Sequence, residues 1–384
     1  MKKLAVAVIF GSRSTEHDVS IITAISSVIR PLELSGKYIV YPVYIDKGGR
    51  WFSDPELASI ELYTKGNLDG FLSRLKPLQL KMNGRFELVW PGLRPKSVKI
   101  DVAFPATHGT HGEDGELMGL LEMANVAYVG CDMPASAVAM DKALCKTIAL
   151  SEGILTPKYV WFYSIDFSRD NNAVLSKLSE LKYPLFVKPV HLGSSIAIAR
   201  VSNPKELINA IEVAAHYDDK VLVEEAVNDL IEVTVPIIGN DKLQVALVEQ
   251  PLLKSQDFFD FDSKYLHGGK KTGGGKDVSQ GYSKLPADLP SKLYKEAEAT
   301  ALAVYKAIGC SGIARVDLLI DGKTKKVYFN EVNPLPGSLY AHNWRAKGLS
   351  NVKLVDELID LALERHKSYS KLATGFKSSY LKQY

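Results

Sequence analysis

Two apolar runs separated by an amphipathic stretch of helical length set the fold class at the start of this chain. Residues 4–10 are continuously apolar, residues 16–30 form an amphipathic segment, and residues 38–44 return to a strand-like run. A strand without a polar face needs cover on both sides. A strand, helix, strand rhythm supplies that cover by laying helices against a parallel sheet. Residues 102–105 and 126–130 continue the pattern, with a glycine-rich turn and helical residues 117–123 between them. The expectation is an N-terminal parallel α/β domain over residues 1–130.

The middle of the chain reads as a small α+β unit over 131–227, with a helix around 136–151, a strand at 185–188, a helix near 205–215 and a strand at 221–224. A third domain, 228–366, starts with a strand pair within 231–250 and ends in a hairpin and a helix, with another helix at 291–308. Residues 254–285 are long, polar and hinged by glycine, the composition of a lid that excludes water. The tail, 367–384, alternates Ser, Tyr and Lys and is expected to be frayed or loosely docked.

Against 384 residues with 47 basic and 44 acidic side chains, a net charge of +3 gives no bulk field for nucleic acid or membrane. No run approaches the roughly 20 apolar residues of a membrane span. Cys131, Cys145 and Cys310 are odd in number and lack CxxC spacing, so they read as core residues of a protein in a reducing compartment. The first apolar run is too short, and its flank too poor in small residues, for a cleaved leader. A cytoplasmic location is expected.

The segment richest in chemistry is 313–333. Two strands around a turn centred on Thr324 place Asp317 opposite Glu331 and Arg315 opposite Asn333, all on one face, with Ala314, Val316, Leu318 and Val332 on the other. Two carboxylates and an amide suit a hard, oxygen-seeking cation such as Mg²⁺. A ribbon with a solvated polar side is the plainer alternative. Pro334-Leu335-Pro336-Gly337 then fixes a turn whose glycine lets a ligand approach the backbone N–H. Elsewhere, residues 11–20 end a strand in a polar turn and start a helix, with Ser14 suited to cap it. Residues 108–115 form a glycine-rich loop in which a metal reading of His108 and His111 finds no further ligands. Lys188 ends a strand before Leu192-Gly193-Ser194-Ser195, a small loop able to wrap phosphates, and Lys142 is a second cation candidate. Two nucleotide signatures fail: the turn after the first strand lacks GxGxxG, and 270–277 has Lys270 and Asp277 where a Walker A needs Gly and Ser/Thr.

Taken in order, residues 11–20, 108–115, 188–195, Arg315-x-Asp317 and Asn330-Glu331-Val332-Asn333-x-x-Pro336-Gly337 resemble the motifs of D-alanine-D-alanine ligases, members of the ATP-grasp superfamily. The likeness covers nearly the whole chain except the tail. It implies a three-domain ATP-grasp fold that activates a carboxylate as an acyl phosphate, with ATP and Mg²⁺, or alternatively Mn²⁺, as cofactors and D-alanine as substrate. By this resemblance Glu16 contacts the ammonium of the first D-amino acid, and His108 and Glu113 surround that substrate. Lys142 and Lys188 hold phosphates, Glu224 and Val227 meet adenine, and Glu232 meets ribose. Asp317, Glu331 and Asn333 hold the metal, while Arg315 and the Gly337 N–H stabilise the oxyanion. Lys264 and Tyr265 end a lid segment like that of D-alanyl-D-alanine formers, and Tyr265 joins Glu16 and Ser194 under the lid. A homodimer is a family expectation.

One departure follows Gly337. Many relatives have Thr and then Ser binding the carboxylate of the second substrate, whereas this chain reads Ser338-Leu339-Tyr340-Ala341-His342, with His342 near the serine position. The alternatives are a ligase for another acceptor, such as D-serine or D-lactate, and a nucleotide-binding regulator without turnover.

Overall fold

The computed structural model describes residues 3–252, 283–375 and 378–384. Its first part contributes β1 (Leu4–Gly11), β2 (Tyr38–Ile45), β3 (Trp51–Ser53), β4 (Gln79–Met82), β5 (Phe86–Trp90), β6 (Lys96–Lys99), β7 (Val102–Pro105) and β8 (Ala127–Tyr128). Five of these form one sheet in the order β3-β2-β1-β7-β8, parallel throughout except for the edge strand β3. β1 is buried from Val6 onward, as its unbroken apolar run requires. One face of this sheet is covered by residues 17–35 and by the C-terminal helix Asn351–Tyr369. The other packs against the helix Glu116–Met123 and a separate antiparallel sheet, β4-β5-β6, which the sequence pattern did not announce.

The expected helix over 16–30 is a composite: α-helical at His17–Ile22, π-helical at Thr23–Ile29 and α-helical again at Arg30–Ser35. Wide turns of this kind concentrate at functional sites, and this one holds Thr23, whose role appears below. Ser14 does not occupy the cap position, which falls on Glu16, but its Oγ accepts the Glu16 N–H at 3.0 Å.

Four antiparallel strands make the second sheet, β11-β10-β12-β9, from β9 (Tyr159–Tyr163), β10 (Leu185–Pro189), β11 (Ala199–Val201) and β12 (Lys220–Glu225). The helices Asn171–Leu178 and Pro204–Tyr217 bury their apolar stripes on it. The single helix expected at 136–151 is instead two, Met133–Met140 and Lys142–Ser151. The break falls at Asp141, whose extended backbone lets its carboxylate accept the Leu144 N–H at 2.8 Å and cap the second helix.

β13 (Leu230–Gly239), β14 (Gln244–Val245), β15 (Gln250–Pro251), β16 (Ser283–Lys284), β17 (Gly312–Asp321) and β18 (Val327–Asn333) complete the strands among the described residues. The third sheet has the order β14-β13-β17-β18 and is antiparallel. Its core takes the helix Ser291–Ile308 and also the two helices between 133 and 151, which make a smaller apolar contact with the second sheet through Ala143, Val190 and Leu222. β15 and β16 pair, bringing Pro251 opposite Ser283. The three cysteines are buried and unbridged. No helix among the described residues is long and apolar enough to cross a membrane.

Candidate active site

The β17–β18 hairpin has the expected register at its chemical end: Arg315 faces Asn333, and Asp317 faces Glu331. Beyond Asp317 a bulge shifts the pairing so that Leu318 faces Phe329, leaving Asn330 as the extra residue. The bulge turns the Asn330 amide toward the second sheet, where its Oδ1 accepts a hydrogen bond from Lys188 Nζ at 3.2 Å. The apolar face, Ala314, Val316, Leu318 and Val332, is buried as expected.

On the polar face Arg315 clasps Asp317 in a two-pronged pair, with Nε donating to Oδ1 at 2.7 Å. The guanidinium lies over the Tyr340 ring at 4.8 Å. Burial opposes its charge, but Asp317 and its other neighbours more than offset this and raise its pKa. In the amide orientation that satisfies both neighbours, Asn333 donates to Glu113 at 3.2 Å and accepts from Arg315 at 3.0 Å. A continuous chain of polar contacts therefore runs from Glu113 through Asn333 and Arg315 to Asp317.

Three loops meet at the other end of this chain. Ser194 Oγ donates to Glu16, and a Cβ on Gly193 would lie 2.8 Å from the Glu16 carboxylate, so a larger residue there would push that carboxylate aside. Glu113 accepts the Gly109 N–H at 2.9 Å. Burial, reinforced by the Glu16 charge, raises the Glu113 pKa well above the ordinary carboxylate range. His108 and Glu113 are both buried here, while His111 turns outward to Glu116 at 2.6 Å and takes no part.

Thr23, which sequence reasoning missed, links this end to the turn that follows Gly337. Its Oγ1 accepts the Ser338 N–H at 3.0 Å, so its own proton goes to His108 Nε2 at 2.9 Å. The other imidazole nitrogen hydrogen-bonds the Leu335 backbone, and burial lowers the His108 pKa to about 4. The imidazole is neutral at pH 7. The turn it supports is strained, since Ser338, Leu339 and Tyr340 have φ of 51°, 56° and 47°, a left-handed run without glycine. His342, just beyond, pairs with the buried Glu249 at 2.9 Å and lies beside the Tyr340 ring.

The cations form a second group. Lys142 donates to the Leu192 carbonyl at 2.7 Å and lies 3.5 Å from Glu331. Lys188 pairs with Glu224, and Lys146, unremarked in the sequence, holds the other oxygen of that carboxylate at 2.9 Å. Burial alone would push Glu224 up, but the two ammonium groups bring it down to about 2. The Glu224 carboxylate, at 1% exposure, is enclosed by the two lysines. Val227 lies just past β12 and Glu232 on β13, both half-buried. Glu232 adds to the field that favours the charged form of Lys188. Lys264 and Tyr265 lie outside the described residues, as does most of the expected lid.

The donor set suits a hard divalent cation. Asp317 and Glu331 offer half-exposed carboxylate oxygens on one face, beside the Asn330 and Asn333 amides, and no thiolate or imidazole stands among them. The close His/acid groups among the described residues, His111-Asp114-Glu116 and His191-Asp218-Asp219, lie outside this face.

Comparison with known proteins places the chain in a family. The family model described as "D-ala D-ala ligase N-terminus" matches residues 5–131, and that described as "D-ala D-ala ligase C-terminus" matches 148–360. The chain is 38% identical over 376 residues to a D-alanine–D-alanine ligase of Chlorobium phaeovibrioides, covering 95% of this chain and 98% of that one. It is 37% identical, with the same coverage, to one from Thermoanaerobacter sp.. Among solved structures, the D-alanine-D-alanine ligase from Coxiella burnetii superposes with a TM-score of 0.78 at 30% identity, covering 97% of both chains. The VanG D-Ala:D-Ser ligase from Enterococcus faecalis gives a TM-score of 0.78 at 33% identity, covering 94% of this chain and all of that one. With matches spanning nearly the whole sequence and the ATP-grasp fold in common, the chain belongs to the D-alanine–D-alanine ligase family.

Proposed function

We propose that this chain joins two molecules of D-alanine, using ATP, to make D-alanyl-D-alanine for peptidoglycan. The observation that carries the reading is the polar chain Glu113-Asn333-Arg315-Asp317, which ties an amino-acid end to a phosphate end. The domains meet near residues 130 and 227, with ATP clasped between the second and third sheets.

In this reading Glu16, held by Ser194, takes the ammonium of the first D-alanine, and His108 and Glu113 border it. The carboxylate of that D-alanine attacks the γ-phosphorus, the bond to the β-phosphate oxygen breaks and ADP leaves. Lys142 and Lys188 face the phosphates. Asp317, Glu331 and Asn333 would hold Mg²⁺, which when bound spreads phosphate charge. The second amine then attacks the acyl carbon, losing its proton to solvent, and Arg315 with the Gly337 N–H stabilises the tetrahedral oxyanion until phosphate leaves. His342 borders the acceptor end. We place the enzyme in the cytoplasm as a homodimer.

The test is phosphate release from Mg-ATP with D-alanine alone, with mass spectrometry of the product, repeated with D-serine or D-lactate added. Dipeptide from D-alanine alone is expected. Product only with another acceptor would move the assignment to a different ligase, and ATP bound but never consumed would leave a regulator.

A further inference from the structure

Lys142 and Lys146 stand one helical turn apart on Lys142–Ser151 and reach two different carboxylates, Glu331 and Glu224. Lys146 is fully buried, yet it points at no open face. Its ammonium meets Glu224 at 2.9 Å, the Phe329 carbonyl at 3.4 Å and the edge of the field of the Phe329 ring, whose centroid is 5.9 Å away. Burial lowers its pKa, with Glu224 opposing that. Taking an ammonium wholly out of water is costly, and an apolar side chain in such a place is often as stabilising as a buried ion pair. Stability alone therefore gives a weak account of Lys146.

A charge count gives a stronger one. Lys188 and Glu224 form an intimate buried pair, and a carboxylate directly behind the ammonium cancels roughly half of the attraction it offers to a phosphate a few ångströms away. Adding Lys146 to the other carboxylate oxygen leaves the group of three with one net positive charge. The three elements involved are the helix, β10 and β12, and the Glu224 carboxylate is the hub between them.

We infer that Lys146 is a positioning residue that neutralises Glu224 from behind, so that Glu224 can fix the Lys188 ammonium in place without cancelling its charge toward the nucleotide phosphates. This rests on the ATP-dependent reading above. Glu224 alone would aim Lys188 but disarm it; the second lysine separates aiming from charge.

The test compares the full-length protein with Lys146→Met and with the double variant Lys146→Met/Glu224→Gln. Mg-ATP binding without D-alanine is measured by calorimetry, kcat and KM by phosphate release, and folding by thermal melting. Lys146→Met makes the group neutral and should weaken Mg-ATP binding and raise its KM on the order of tenfold or more, with KM for D-alanine unmoved. The double variant restores one net positive charge and should recover most of that affinity. Wild-type affinity in the single variant overturns the inference, and so does equal loss in both folded variants, the signature of a purely structural staple. If the single variant fails to melt cooperatively, the double variant decides: near-wild-type affinity supports the inference and weak binding by a folded protein overturns it. Wild-type protein that binds no Mg-ATP would instead sink the functional reading itself, and the inference with it.

Discussion

Replacing Thr23 by valine tests whether the oxyanion turn is held from the N-terminal part of the chain. The substitution keeps the shape and removes one hydroxyl that accepts from Ser338 N–H at 3.0 Å and donates to His108 Nε2 at 2.9 Å. Thr23 is 1% exposed and His108 4%, so the imidazole nitrogen cannot regain water, whereas Ser338 is only half-buried. An orphaned buried polar group costs about 1–3 kcal/mol, which puts the loss at roughly 2 kcal/mol, most of it at His108. The left-handed run at 338–340 stores about 1–2 kcal/mol per residue and relaxes once its anchor is gone. Relaxation moves the Gly337 N–H away from the oxyanion position. If that loss of about 2 kcal/mol appears in the transition state, kcat falls about 30-fold. KM for ATP should not change, because Lys142, Lys188 and Glu224 are untouched. The assay is phosphate release at saturating D-alanine, with Thr23→Ser, which keeps the hydroxyl, as a control within about threefold of wild type. Valine with wild-type kcat would refute the link between this hydroxyl and the turn.

The neutral, buried His108 makes folding sensitive to acid. Its folded pKa of about 4 lies below the ordinary 6.5, so its contribution is full above pH 6.5 and is lost as the pH falls toward 4, by up to about 3 kcal/mol. Denaturant titrations of wild type and His108→Gln should diverge in slope across that window, and parallel profiles would contradict the assignment. His191 behaves in the opposite sense: the Asp141 carboxylate 3.6 Å away and a hydrogen bond to Asp218 at 2.9 Å raise its pKa to about 9. Its contribution is present below pH 6.5 and lost as pH rises through 9, so the melting temperature of His191→Gln should lie below wild type at pH 7 and converge with it near pH 9.5. Asp317→Asn removes both a proposed metal ligand and the partner of Arg315, and turnover should fall by at least about a thousandfold in the phosphate-release assay. An active variant would overturn the metal assignment.

How much of this site was legible in the sequence depended on whether its geometry was local. The β17–β18 register followed from alternation, because a slip of one residue would bury Asp317 and expose Val316. The bulge at Asn330 was not legible, since alternation carries no sign of an inserted residue until a partner strand is known. The division of the 136–151 helix was hidden for a related reason: Asp141 is an acceptable helix residue, and only the capping of Leu144 with the ion pair to Lys220 makes the break favourable. Lys146 was not singled out, because nothing local says that Glu224, far along the chain, will enclose it. The β4-β5-β6 sheet went unread because its strands are short and two of the three are largely exposed, which leaves little apolar patterning.

The charges of the assembled site bear on how it would hold the proposed ATP and divalent cation. Among the described residues, Lys142, Lys146, Lys188 and Arg315 stand against Glu224, Glu331 and Asp317, with each cation close to a carboxylate. Such a set folds without large self-repulsion, but it offers one net positive charge to a nucleotide carrying about four negative ones. Polyphosphate alone would therefore be held weakly, and the acidic pair Asp317 and Glu331 would repel it. The same pair becomes an asset when two divalent cations accompany the nucleotide, because the carboxylates then attract the metal and the lysines attract the remaining phosphate charge. On the proposed reading, the arrangement would favour the metal-nucleotide complex over either component alone. That selectivity would come from Asp317 and Glu331, and a site with the same cations and without these two acids would lose it.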